Sequence, residues 1–140
     1  MYKKILLAAD GSDHARKSAE HAAYLATMET DSVVTVVYVV DAASSKHDVL
    51  AEGTSSTYLN ELRHERIRPV EGILEEKGVS FDYKILKGEP GPELIRYANE
   101  EAYDVIVMGS RGLNALQEMV LGSVSHKVSH GAHCPVMIVK

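Results

Sequence analysis

With a single cysteine, Cys134, in 140 residues, the chain cannot close a disulfide within itself. That scarcity fits a reducing compartment. Positive charge is scarce as well: 15 Lys and Arg against 20 Asp and Glu leave a net charge of −5. This argues against binding nucleic acid through a broad basic surface. It does not exclude a nucleotide, which needs only a local positive potential from N–H groups. Long apolar runs are missing too. The opening Met1-Tyr2-Lys3-Lys4-Ile5-Leu6-Leu7-Ala8-Ala9 starts like a signal peptide but meets Asp10 too soon for a secretory segment, and is far too short to span a bilayer. A cytoplasmic protein with neither membrane nor nucleic-acid partners is the expectation. Neither CxxC nor HExxH occurs, and no G-x4-G-K-S/T supplies a P-loop lysine.

What is present is ordinary in amount and ordered in pattern. Hydrophobic residues at 45% and charged residues at 25% suit a globular protein, and the length suits one domain, residues 1–140, with a real core. Ile5–Ala9, Val33–Val40, Val105–Met108 and Val136–Val139 are short apolar runs bounded by turn signals, and Val79–Leu86 is a weaker fifth. Runs apolar on both faces suit a parallel sheet covered by helices. Helical patterns lie between them. Asp13–Glu29 follows Ser12, a candidate cap; Ser56–Lys77 contains Pro69, which should kink or split it; Pro92–Ala102 opens on proline; and Gly122–His130 ends at Gly131, a candidate C-cap. The alternation predicts an α/β fold, an open five-stranded parallel sheet with helices on both faces. Ligands of such sheets bind at the carboxyl ends of the strands. Asp10, Val39, Val40 and Gly109 fall there, beside the polar segment Asp41–Thr57, which reads as a mobile surface loop.

The most informative motif follows the run ending at Met108. Gly109-Ser110-Arg111-Gly112, nine residues, then Gly122-Ser123 spell G-x2-G-x9-G-S. Glycines let backbone come close to a ligand, and successive N–H groups at a loop or helix start point at phosphate oxygens.

With these residues in place the chain resembles the universal stress proteins, in their ATP-binding subclass. The resemblance runs over the whole length, through Lys3-Lys4-Ile5-Leu6-Leu7-Ala8-Ala9-Asp10-Gly11-Ser12, Val37-Tyr38-Val39-Val40-Asp41, Gly88-Glu89-Pro90, Asp104 to Gly112, Leu121 to Ser125, and Cys134-Pro135-Val136-Met137-Ile138-Val139. In that family the glycine spacing separates members that bind ATP from those that do not. The resemblance implies a Rossmann-like, adenine nucleotide alpha hydrolase-like sheet of order 3-2-1-4-5. It also implies a nucleotide-dependent regulator of the stress response, with ATP as ligand. Asp10 would lie by the ribose and adenine, the Val39 backbone at the adenine edge, and Met108 and Gly109 along the ribose. Arg111 and Gly112 would form the first phosphate loop. Gly122, Ser123, Val124 and Ser125 would contact the phosphates through backbone and hydroxyls. Ala8 and Ala9 replace residues that are often larger or hydroxylated, so contact at Ala8 is the least defined. Mg or Mn would ride on the phosphates, with no metal held by protein side chains alone. Family members commonly dimerise by antiparallel pairing of the last strand, here Val136–Val139, whose short apolar edge invites association in any case.

Plainer roles compete for some of these residues. Asp10 could cap the turn at Gly11-Ser12, Ser123 and Ser125 could cap the last helix, and Arg111 could be a solvated surface residue. His126, His130, His133 and Cys134 do not amount to the three or four converging ligands of a zinc site. Met108, Met119 and Met137 read as core. No catalytic residue is assigned. Without a P-loop lysine or a placed base, hydrolysis would be slow at best. A slow ATPase, or a binder of AMP or cyclic AMP, is the alternative. The S-G-G-x-D-S loop of ATP pyrophosphatases is replaced by Asp10-Gly11-Ser12-Asp13. A phospho-acceptor domain would need an acid where the third strand ends Ile85-Leu86-Lys87-Gly88.

Overall fold

A computed structural model of the chain describes residues 1–41, 56–110 and 122–140. Its elements are β1 (Lys4–Ala8), α1 (Asp13–Ala26), β2 (Val33–Val40), α2 (Ser56–Glu76), β3 (Ser80–Lys87), α3 (Pro90–Glu100), β4 (Val105–Gly109), α4 (Ser123–Gly131) and β5 (Val136–Val139). The five strands form one sheet in the order β3-β2-β1-β4-β5, and every pair is parallel. The expected fold class and strand order are therefore correct.

Alternation along the strands divides the core in two. Ile5, Leu7, Val34, Val36, Val105 and Val107 face α1 and α2, where they meet Ala15, Ala19, Ala22, Ile67, Val70 and Leu74. Leu6, Val37, Ile106 and Met108 face α3 and α4, where they meet Leu94, Ala98 and Val128. The small residues of α1 bring its backbone close to the sheet, and burial on both faces explains the nearly unbroken apolar runs. The start of β1 is fastened to that of β4 by Asp104, whose Oδ2 accepts from the N–H groups of Lys3 at 3.0 Å and Lys4 at 2.9 Å.

Several boundaries differ from the sequence reading, each for a local reason. α1 stops at Ala26 rather than Glu29: Thr27 N–H is already shared between the carbonyls of Ala23 and Tyr24, Met28 N–H turns to the Leu25 carbonyl three residues back, and the Thr27 hydroxyl donates to the Tyr24 carbonyl at 2.6 Å. α2 is not split; it runs unbroken through Pro69. That ring lies on the exposed face, where the carbonyl deprived of its donor meets water. α3 starts at Pro90, two residues before Pro92, and both prolines fit its first turn, whose N–H groups have no helical partner. Gly131 is not a left-handed cap but the last residue of α4. A Cβ there would stand 2.7 Å from Ile95 Cδ1, so the glycine lets α4 pack on the Ile95 side chain of α3 without that side chain having to shift. Met137 is not core: it is 36% exposed on the outer strand β5. Met119 lies outside the described residues.

Two helices end in the same hydrogen-bonded motif built on different residues. At the end of α2, Gly78 N–H donates to the Glu75 carbonyl and Val79 N–H to the Leu74 carbonyl, with Gly78 at φ 71°. At the end of α3, Ala102 N–H donates to Asn99 and Tyr103 N–H to Ala98, with Ala102 at φ 54°. These are Schellman closures, and the left-handed position favours glycine. Ala102→Gly should therefore stabilise the protein by about 0.5–1 kcal/mol, raising the melting midpoint by roughly 2–4 °C. An unchanged or lower midpoint in calorimetry would mean that the alanine carries no strain.

Candidate functional site

The strand order reverses direction between β1 and β4, and sheets of this kind bind ligands in the crevice at the carboxyl ends of the strands at such a point. Leu7 pairs with Val107, and the residues beyond that pair, Ala8 to Asp10 and Met108 to Ser110, form its two walls. β2 lies alongside β1: Ala8 pairs with Val37, and Ala9 N–H donates to the Val37 carbonyl at 3.0 Å. This brings Val39 and Asp41 to the same end of the sheet. Ala8, Asp10, Val39 and Gly109 are half-buried, whereas Met108 is buried in the second core.

Asp10 has an internal duty. Its Oδ1 accepts from Ser12 N–H at 3.0 Å and from Ser12 Oγ at 2.5 Å. Ser12 is the N-cap residue of α1, but its hydroxyl serves Asp10 and makes no cap bond. Gly11, at φ 83°, supplies the left-handed step that lets the chain double back between them. A carboxylate accepting two bonds is worth more than a neutral acceptor. Asp10→Ala should therefore cost about 2 kcal/mol of unfolding free energy and Asp10→Asn, which keeps an acceptor oxygen, less than half of that. Denaturant titrations showing an Ala variant as stable as wild type would remove Asp10 as the organiser of this turn.

The opposite wall is built from β4 and α4. Ser110 N–H donates to the Val139 carbonyl at 2.9 Å, and the Ser110 carbonyl accepts from Gly122 N–H at 2.8 Å. The end of β4 and the start of α4 are thus tied together. Gly122 is the N-cap residue of α4 and, being glycine, offers no side chain of its own to cap that end. The N–H groups of Ser123, Val124 and Ser125 belong to the first turn of the helix, where no intrahelical carbonyl is in reach, at the positive end of its dipole. Ser123 is exposed, while the Val124 side chain packs on the second core. Ser125 is 2% exposed, and its hydroxyl donates to the Gly122 carbonyl at 3.0 Å and the Ser110 carbonyl at 3.3 Å. It holds the turn, so a ligand would meet its backbone rather than a free hydroxyl proton. Arg111 and Gly112 lie outside the described residues, as does most of Asp41–Thr57.

Sequence reading missed the contribution of α2. Arg66 Nη1 donates to Tyr38 Oη at 2.6 Å, and a Cβ at Gly11 would stand 3.5 Å from Arg66 Cβ. Arg63, one turn earlier, is 2% exposed. Both arginines interrupt the apolar stripe of Leu59, Ile67 and Val70, and that interruption was the available signal. Cys134 is half-buried, and burial pushes its thiol up, away from a reactive thiolate. Among the described residues no three His, Cys, Asp or Glu side chains converge to hold a metal, and no helix is long and apolar enough to cross a membrane.

The arrangement offers backbone donors for an anion on one wall and a carboxylate on the other. The model of the universal stress protein family matches residues 1–140. Universal stress protein MJ0531 of Methanocaldococcus jannaschii is 39% identical, the match covering 100% of this chain and 83% of that protein. The solved structure of MJ0577, from the same organism, superposes with a TM-score of 0.83 at 31% identity, covering 100% of this chain and 96% of the other. A universal stress protein from Archaeoglobus fulgidus, solved in complex with dAMP, shares the fold with a TM-score of 0.74 at 24% identity, covering 99% and 98%.

Proposed function

The chain belongs to the universal stress protein family, and from that premise we propose that it binds ATP and acts as a nucleotide-dependent regulator in the stress response. The observation that carries this reading is the start of α4. It opens on a glycine, which brings no capping side chain of its own, and is tied to the end of β4 where the sheet changes direction. A helix N-terminus of this kind favours an anion, and the triphosphate is the most highly charged anion a nucleotide offers. The N–H groups of Ser123, Val124 and Ser125 would hold it, with Arg111 and Gly112 completing the phosphate loops. Asp10 would meet the ribose, with Ala8, Met108 and Gly109 along that side, and the Val39 backbone would meet the adenine. Mg or Mn would be carried on the phosphates. A second copy would pair with the exposed β5 edge, Val136–Val139, and a cytoplasmic location goes with this role.

Bound ATP can act as a signal only by favouring one conformation over another. The binding groups here position charge, and no base is assigned to activate water, so the reading is of a binder rather than a turnover enzyme. The test is to denature purified protein and identify released nucleotide by ion-exchange chromatography, with melting followed in millimolar ATP. Released ATP, or a midpoint that climbs with ATP concentration, is the expected result. Released ADP would favour slow hydrolysis, and AMP or cyclic AMP a different ligand of the same crevice. An empty protein whose midpoint ignores ATP would overturn the reading.

A further inference from the structure

Two imidazoles stand together on the outer face of α4. His126 and His130 are four residues apart, which puts them on one side of the helix. Both are exposed, while Ser125 and Val128 take the buried side. Their ring centroids are 4.7 Å apart, with the planes inclined at 62°. Lys127, between them in sequence, reaches away to Glu89 at 3.3 Å, and the Ser129 hydroxyl donates back to the His126 carbonyl at 2.8 Å.

That separation has a chemical meaning. A ligating imidazole nitrogen sits about 2.0–2.1 Å from a metal such as zinc, which puts the ring centre roughly 3.2 Å away. Two such rings at a right or tetrahedral angle about one ion have centroids about 4.5–5.2 Å apart. The observed 4.7 Å lies inside that interval. The terminal torsion of histidine is broad, so either ring can turn its nitrogen toward a shared ion without leaving its rotamer. Neutral imidazole suits late first-row divalent ions, whereas Mg and Mn prefer oxygen.

We propose that His126 and His130 form a two-donor surface site for a late first-row divalent metal ion: nickel, copper or zinc. No third His, Cys, Asp or Glu joins them among the described residues, so water fills the other positions and the ion exchanges readily. The site uses side chains on the outer face of α4 and none of the backbone groups assigned to the nucleotide. The two proposals therefore stand or fall separately.

The probe is Ni²⁺ added to tag-free, nucleotide-free protein and followed by isothermal titration calorimetry. One ion per chain is expected. His126→Asn and His130→Asn should each weaken binding at least tenfold, and the double variant should abolish it, while His14→Asn and His133→Asn should leave it unchanged. At ten times the dissociation constant Ni²⁺ should raise the melting midpoint by about 5 °C, an effect absent with Mg²⁺ and lost in the double variant. Both histidines are exposed, so these variants are expected to fold. Absence of binding by the wild type, wild-type binding by the folded double variant, or loss of binding on His133→Asn would each overturn the proposal.

Discussion

Gly122→Val is expected to emerge from purification folded and without nucleotide. The backbone at this position has φ −62° and ψ 156°, which any residue adopts, so the new side chain adds no backbone strain. Valine is a poor N-cap residue, and the change should cost about 1 kcal/mol, or a midpoint lower by roughly 4 °C. The larger effect is on access. An isopropyl group at the mouth of α4 would stand where phosphate oxygens approach the first N–H groups of the helix. Losing one or two hydrogen bonds to a charged ligand, each worth about 1.5–3 kcal/mol, should weaken ATP binding at least about 100-fold. Nucleotide release and ATP-dependent melting, run on wild type and variant together, read both effects. A folded variant that retains as much ATP as wild type would show that the phosphates do not lie against α4.

The second large effect is on stability. Ile106 is 0% exposed in β4, which is paired on both sides: with β1 through Leu6 and with β5 through Val136. Its side chain fills the second core, toward α3 and α4. Ile106→Ala removes buried carbon and leaves a hole that a strand held on both edges cannot collapse to fill. The expected loss is about 3 kcal/mol, with a melting midpoint roughly 10 °C lower. In denaturant the midpoint should move while the slope stays put, because the surface exposed on unfolding is almost the same. A loss below about 1 kcal/mol would mean that the helices on this face readjust freely.

The fold was legible because its strands are buried on both faces. Ile5 to Leu7 and Val105 to Val107 read as strands without any partner in view, and their alternation with helices left few topologies. β3 was the hardest to read, since it is an outer strand whose Asp82, Tyr83 and Lys84 are exposed. The misplaced boundaries were matters of single hydrogen bonds or single contacts. α1 ends early where its bonding tightens to three residues back at Met28, and Gly131 looked like a conformational stop when it leaves room for Ile95.

The candidate site was legible to a different degree. Glycine spacing pointed to the start of α4, because helix starts and glycine turns leave a mark in sequence. The engagement of the site's side chains could be raised from sequence only as a competing role, without deciding it. Asp10 is bonded to Ser12, and the Ser125 hydroxyl is engaged by Gly122 and Ser110. The nearness of Arg66 to Tyr38 and Gly11 depends on how α2 lies across the sheet, which periodicity within α2 cannot reveal.

The strand order also dictates a sequence of events during synthesis. β1, β2 and β3 are neighbours in both chain and sheet, so that half can assemble as it leaves the ribosome. The other edge of β1 must wait for β4, and Asp104, which fastens Lys3 and Lys4, is made about a hundred residues after them. At roughly 5–20 residues per second, the central strand of the finished sheet spends several seconds as a bare edge. During that interval the nascent chain is open to pairing with the wrong strand, and the wall carrying Gly122 does not yet exist. Nucleotide could therefore reward only the completed fold, and a chaperone would find its target in the half-built sheet.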